Sequence, residues 1–122
     1  MKLQVMTLLP ALALLICSSM SMSAMAAQPP WCKKVELSEV EVTICDDKTL
    51  SKADSLLDQM YRATLSFSGL EGHEGLWPNE IIADQRDFME QRNTLSGKAD
   101  ILDAYTARIK VLTHMLRARW ES

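Results

Sequence analysis

"SEVEVTICDDKTLSKADSLLDQMYRATLSF" (residues 38–67) is the stretch that decides the fold. From residue 48 onward its apolar residues recur at three- and four-residue spacing, which is typical of an amphipathic helix. This spacing predicts one helix running to about Phe67, with a core face formed by Leu50, Ala53, Leu57, Met60, Tyr61 and Leu65.

Two helix starts can be recognised in the same stretch. Ser38 is followed three residues later by Glu41, which is the pattern of a capping box, and it predicts a short helix to about Cys45. Its β-branched residues, such as Val40 and Val42, leave a strand as the alternative. Asp47 is placed to cap the longer helix that follows.

The rest of the chain gives two more helical segments. Residues 68–80 hold three of the four glycines and a proline and are predicted to form a loop. A third helix is expected from Pro78 or Asn79, with one face traced by Ile81, Ile82, Gln85, Phe88, Met89 and Arg92. A fourth is expected from Gly97 or Lys98. The fold class predicted is all-α: three long helices plus a short N-terminal helix pinned by a disulfide.

The first 26 residues have the features of a secretory signal. Lys2 precedes an apolar run of about 12 residues, too short to span a bilayer, and Ala24-Met25-Ala26 supplies small residues for cleavage. We therefore expect residues 1–26 to be removed, leaving residues 27–122 as a single periplasmic domain without a membrane span. Ile16 is too bulky for the position before a lipidated cysteine, which argues against a lipoprotein anchored at Cys17.

Charge and cysteine content narrow the function classes. Without residues 1–26 the chain has 12 basic and 16 acidic residues, a formal net charge of −4, which argues against nucleic-acid binding. Cys32 and Cys45 then remain, and in an oxidising compartment two cysteines indicate a disulfide. A metal site would need further ligands, and His73 and His114 are distant in sequence.

Four short motifs in order resemble the lysozyme inhibitor LprI-like N-terminal domain, a family of small exported bacterial proteins. The first two comprise Cys32, Glu41, Ile44, Cys45, Asp47 and Leu50, then Ala53, Asp54, Leu57 and Tyr61. The others are "QRDFMEQRN" (residues 85–93) and the group Tyr105, Arg108, Ile109 and Leu112. The chain departs from the family pattern at Leu95 and Asp100, near which members often carry a second cysteine pair, and at Phe88, where tryptophan is common. The resemblance implies a helical fold and, as a hypothesis, inhibition of a lysozyme-type peptidoglycan hydrolase.

Several polar residues fall on or beside the expected core faces. We predict structural ion pairs among Asp54, Arg86, Arg92 and Arg108, with Asp54 meeting Arg86 or Arg108; a binding pocket is the alternative. Tyr61 and Tyr105 are expected in the core with their hydroxyl groups near the surface.

The partner-binding residues are predicted in two places. Glu71, Glu74 and Trp77 of the glycine-rich loop could enter a groove of a basic hydrolase. Residues 36–58 hold seven acids and two lysines, and this acidic half could dock the same partner, although a solvated helix surface explains the charges equally well. No arrangement indicates a catalytic nucleophile, a metal or a cofactor, so an enzyme is not expected. The alternative function is a periplasmic interaction or stress-related protein without a lysozyme partner.

Overall fold

The computed structural model describes residues 28–69 and 77–120, and it confirms the all-α fold class because every regular element in this part is helical. A short 3₁₀ turn, Pro30–Lys33, precedes α1 (Glu39–Asp46), α2 (Lys48–Phe67), α3 (Pro78–Arg92) and α4 (Lys98–Trp120). The predicted signal segment 1–26 with Cys17, and the loop residues Glu71 and Glu74, lie outside the described residues.

Local hydrogen bonds begin the first two helices where the sequence predicts them. Oγ of Ser38 accepts from the Glu41 amide at 3.2 Å, and the Glu41 carboxylate accepts from the Ser38 amide at 2.8 Å, which completes a capping box. Asp47 alone separates α1 from α2, and its Oδ1 accepts from the Leu50 amide at 3.0 Å. A single capping residue therefore makes a tight corner between the two helices.

Pro78 and Gly97 mark the starts of α3 and α4. Pro78 is the first residue of α3, where a missing N–H costs nothing. Gly97, just before α4, has a φ of +94°, a backbone conformation that glycine adopts without a steric penalty. Its carbonyl accepts from the Ile101 amide at 3.2 Å, which starts the last helix.

The hydrophobic core lies mainly between α2 and α4, with α1 across one end. The buried cluster consists of Val40, Ile44, Leu50, Leu57, Ile101, Tyr105 and Leu112. Ile81 is α3's buried apolar residue, whereas Ile82 is 46% exposed, so the expectation that Ile82 belongs to the core face is wrong. In the part of the chain that the structure describes, no helix is both long enough and apolar enough to cross a membrane.

The segment before α1 is fixed to the corner between α1 and α2. Cys32 and Cys45 form a disulfide with their Cα atoms 5.8 Å apart, and the Gln28 side chain donates to the Cys45 carbonyl oxygen at 2.8 Å. In the chain-entropy model a crosslink of this loop length stabilises by about 3 kcal/mol. The disulfide thus holds the 3₁₀ turn, including Trp31, against the helices.

Candidate functional site

The most buried polar cluster lies where α2, α3 and α4 meet. Asp54 of α2 is 8% exposed and Arg92 of α3 is 1% exposed. The hydroxyl of Tyr105, in α4, donates to Oδ1 of Asp54 at 2.7 Å, and Nη1 of Arg92 lies 3.5 Å from that oxygen. Nη1 of Arg92 also donates to the Tyr105 hydroxyl oxygen at 3.0 Å. These three side chains link α2, α3 and α4.

Trp31, from the segment before α1, covers this cluster. Its Nε1 donates to Oδ2 of Asp54 at 3.0 Å, and Cζ of Arg92 lies 5.5 Å from the centre of the indole ring, within cation–π distance. The next residue, Cys32, is held by the disulfide. This role of Trp31 was not predicted, and the signal that could have indicated it is the position of Trp31 next to a paired cysteine.

The donors and acceptors of the cluster are used within the chain. Nε and Nη2 of Arg92 donate to Oδ1 of Asn93 at 3.2 and 2.8 Å. Burial, together with the hydrogen bond to Asp54, raises the pKa of the Tyr105 hydroxyl above its ordinary value, so this group is a neutral donor. The expectation that the Tyr105 hydroxyl lies near the surface is wrong, because the residue is fully buried. The arrangement positions the helices and leaves no exposed reactive group in the cluster.

The prediction that Asp54 meets Arg86 or Arg108 is wrong, since its arginine partner is Arg92. Arg86 lies on the exposed side of α3. Arg108, in α4, instead donates from Nε to Oε1 of Gln85 at 3.1 Å. All three arginines belong to α3 or α4, but only Arg92 is at the end of α3, where the helix reaches Asp54.

Arg108 is a partly buried cation with an unused donor. Its Nη2 is buried and has no hydrogen-bond acceptor among residues 28–69 and 77–120. Burial lowers the pKa of its guanidinium, and the nearby Asp84 carboxylate opposes that shift. Arg108 therefore contributes a donor at the α3–α4 interface that the described residues do not satisfy.

Most acids of the N-terminal half are engaged within the fold. Besides buried Asp54, Asp47 caps α2 and lies 3.2 Å from Nζ of Lys98, and Asp58 pairs with Arg62 at 2.8 Å. Glu41 completes the capping box and lies 3.9 Å from Nζ of Lys34. The acids of residues 36–58 that have no such bond or ion pair in the described part are Glu36, Glu39 and Asp46. The acidic half is therefore mostly a set of caps and internal ion pairs.

A more continuous acidic surface lies on α3. Its members, three or four residues apart and all exposed, are Glu80, Asp84, Asp87 and Glu90. Side chains at this spacing share one side of a helix, and none of the four is in an ion pair among the described residues. We call these four residues the acidic face of α3. Their spacing is visible in the sequence, but the larger number of acids in residues 36–58 directed the prediction to the N-terminal half.

Trp77 stands at the start of the same helix. It is the N-cap residue of α3 and is 60% exposed. Of the three loop residues predicted to bind a partner it is the one that the structure describes. Exposed tryptophan is enriched at protein interfaces, and a nearby acidic helix face can steer a partner of opposite charge.

Two grooves lie between the helices, one beside the acidic face and one away from it. The α3–α4 groove has a volume of about 640 Å³, with Asp84 and Asp87 on one wall. The second, the α2–α4 groove, has about 550 Å³ and an apolar lining that includes Leu56, Leu102 and Ile109. Over residues 28–69 and 77–120, no group of histidine, cysteine and carboxylate side chains is arranged to hold a metal ion.

Comparisons of the chain with protein-family models, with curated proteins and with solved structures find no match. The resemblance to the LprI-like family therefore stays a prediction, based on the motifs in the sequence.

Proposed function

We propose that this chain is an exported cell-envelope protein that acts by binding, and that it inhibits a basic lysozyme-type peptidoglycan hydrolase. The observation that carries the proposal is the acidic face of α3 next to exposed Trp77. The working unit is a single domain of three long helices, with a short N-terminal helix pinned by the disulfide between Cys32 and Cys45.

The physical basis is charge complementarity. Four exposed carboxylates on one helix face create a negative potential that steers a cationic protein toward α3. Trp77 adds apolar area at the end of that face and can anchor the complex once the charges have aligned it. Because exposed charges are screened by salt, the affinity of such a complex falls as the ionic strength rises.

The proposed location is the periplasm, reached by a signal in residues 1–26. The disulfide supports this location, because disulfides persist in oxidising compartments. Mass spectrometry of the protein from its native compartment is expected to show a chain that begins near Ala27 and has no free thiol. An uncleaved chain, or one with two free thiols, would contradict export.

The inhibition is tested by titrating the purified mature protein into lysozymes of the c, g and i types while cell-wall lysis is followed. The proposal predicts that micromolar protein protects cell walls from at least one of the three, with less protection at high salt. Absence of protection from all three at micromolar protein would contradict the proposed function.

A second candidate function is a periplasmic interaction or stress-related role without a lysozyme partner. The α2–α4 groove favours it, because half-exposed Leu56 and the neighbouring Leu102 and Ile109 form an apolar surface. A partner bound there by apolar contacts would bind with little dependence on salt. Retained binding to a periplasmic protein at high salt, without lysozyme inhibition, would favour this alternative.

A further inference from the structure

The α3–α4 groove has an apolar floor that no other part of the described chain covers. The small side chains of Ala104 and Ala107 on α4 leave the space open, beside larger apolar side chains. The floor consists of Phe88 from α3, Leu95 from the turn, and Ala104, Ala107 and Val111 from α4. Val111 is 44% exposed and Ala107 is also exposed. An apolar side chain of a partner could therefore pack here without displacing a core residue.

The two sides of the groove carry different hydrogen-bonding groups. Asp84 and Asp87 line it from α3, and both belong to the acidic face. Arg108 lines it from α4, with Nε bonded to Gln85 and with the buried Nη2 lacking an acceptor. The groove thus offers carboxylate acceptors on one side and a partly buried guanidinium on the other.

These groups restrict what can occupy the groove. A purely apolar occupant would take the carboxylates from water without replacing their hydrogen bonds. An anion would be repelled by Asp84 and Asp87. A protein segment with both apolar and basic side chains fits all three parts of the groove. Its apolar side chains pack on the floor, its cations face the carboxylates, and its backbone carbonyls can accept from Arg108.

We propose that the α3–α4 groove receives an anchor segment of the partner protein. An apolar side chain of this segment packs between Phe88 and Val111, and a flanking lysine or arginine pairs with Asp84 or Asp87. A backbone carbonyl of the segment accepts from the solvent-accessible part of the Arg108 guanidinium, which lines the groove. The inference deepens the proposed function and rests on it, since the acidic face of α3 attracts the basic partner that the groove then holds.

The test uses a synthetic probe, so that its result does not depend on the identity of the hydrolase. The probe is a blocked pentapeptide of alternating lysine and leucine, and its glutamate–leucine counterpart is the control. Amide chemical shifts of the full mature protein are followed by NMR during titration. The proposal predicts saturable shifts at Phe88, Leu95 and Val111 with the basic peptide, and none with the acidic one.

Filling the groove provides the matched variants. Ala107→Leu occupies the floor from an exposed position, whereas Ala118→Leu adds the same atoms to an exposed position of α4 outside the groove lining. We expect Ala107→Leu to weaken peptide binding at least about tenfold, with Ala118→Leu within about twofold of wild type. Circular dichroism of both variants verifies that the helices are retained.

The outcomes separate the groove from the proposed function. Shifts that map elsewhere, equal binding by the two alanine variants, or no saturable binding would overturn the groove assignment even if lysozyme is inhibited. Peptide binding in the groove without inhibition of any lysozyme would retain the groove and contradict the hydrolase as its partner. Shifts at these residues that depend on protein concentration alone would place a second copy in the groove and overturn the proposal.

Discussion

Tyr105 donates a 2.7 Å hydrogen bond to Asp54 across 51 positions of sequence, at a point where both side chains are buried. Arg92, the last residue of α3, joins the same carboxylate. The C-terminal end of α3 is therefore fixed to α2 and α4 by polar contacts in the core. The placement of the acidic face depends on this buried cluster.

Replacing Asp54 is expected to destabilise the fold strongly. Asp54→Ala leaves Arg92 in the core without its carboxylate, and uncompensated buried charges of this kind cost about 3–5 kcal/mol. Thermal and urea denaturation measure the loss. Asp58→Ala is the matched control on the same helix, because its pair with Arg62 is exposed and such pairs contribute at most about 1 kcal/mol. Equal melting temperatures for the two variants would contradict the structural role of Asp54.

The Tyr105 hydroxyl is expected to contribute separately. Tyr105→Phe keeps the ring but removes a donor to Asp54 and an acceptor for Nη1 of Arg92. Leaving buried polar groups without partners costs about 1–3 kcal/mol. Tyr61→Phe is the control, because the Tyr61 hydroxyl makes no hydrogen bond to the described residues, and its effect on the urea midpoint should be the smaller one. The opposite order would show that the hydroxyl of Tyr105 does not hold the cluster together.

The disulfide is expected to hold Trp31 over the cluster. A variant with Cys32→Ser and Cys45→Ser should lose about 3 kcal/mol of unfolding free energy. In a background with Trp77→Phe and Trp120→Phe, the emission of Trp31 should shift to longer wavelength when the crosslink is removed, because the indole becomes more hydrated. Unchanged emission and an unchanged denaturation midpoint would mean that Trp31 is held without the disulfide.

The cap of α2 gives a prediction for pH. The hydrogen bond from the Leu50 amide, followed by that from Lys98, lowers the pKa of Asp47 below its ordinary value. A carboxyl with a lowered pKa in the folded state stabilises above its unfolded pKa, about 3.9, and this contribution disappears as the pH falls through the folded pKa. The stability difference between wild type and Asp47→Ala should therefore be largest near neutral pH and shrink below about pH 4. A difference that stays constant down to pH 2 would assign the effect of Asp47 to something other than its charge.

The local features of the fold could be predicted from the sequence, and the long-range pairings could not. The capping box at Ser38 and the cap at Asp47 involve residues three apart, so their pattern is visible in the chain itself. Helical spacing shows which residues point inward, but not which residue of another helix lies opposite. For this reason Arg92 was placed among the ion-pair residues, yet the wrong arginines were assigned to Asp54.

The charges show the same limit. Residues 36–58 contain seven acids. Three of them, Asp47, Asp54 and Asp58, form ion pairs within the fold. The acidic face of α3 has only four acids, but all four are exposed and none forms an ion pair with a described residue. Charge content therefore did not indicate which acids remain exposed in the fold and which are used within it.

The most direct test of the central claim compares two pairs of charge-neutralising substitutions in binding to lysozymes of the c, g and i types at low and physiological salt. Asp84→Asn with Asp87→Asn alters the acidic face of α3, while Glu36→Gln with Asp46→Asn removes the same charge from exposed positions elsewhere. The account predicts that the α3 pair weakens binding about tenfold, or about 1.4 kcal/mol, and reduces its salt dependence, with the other pair close to wild type. Equal weakening by both pairs, or no lysozyme binding by the wild-type protein, would contradict it.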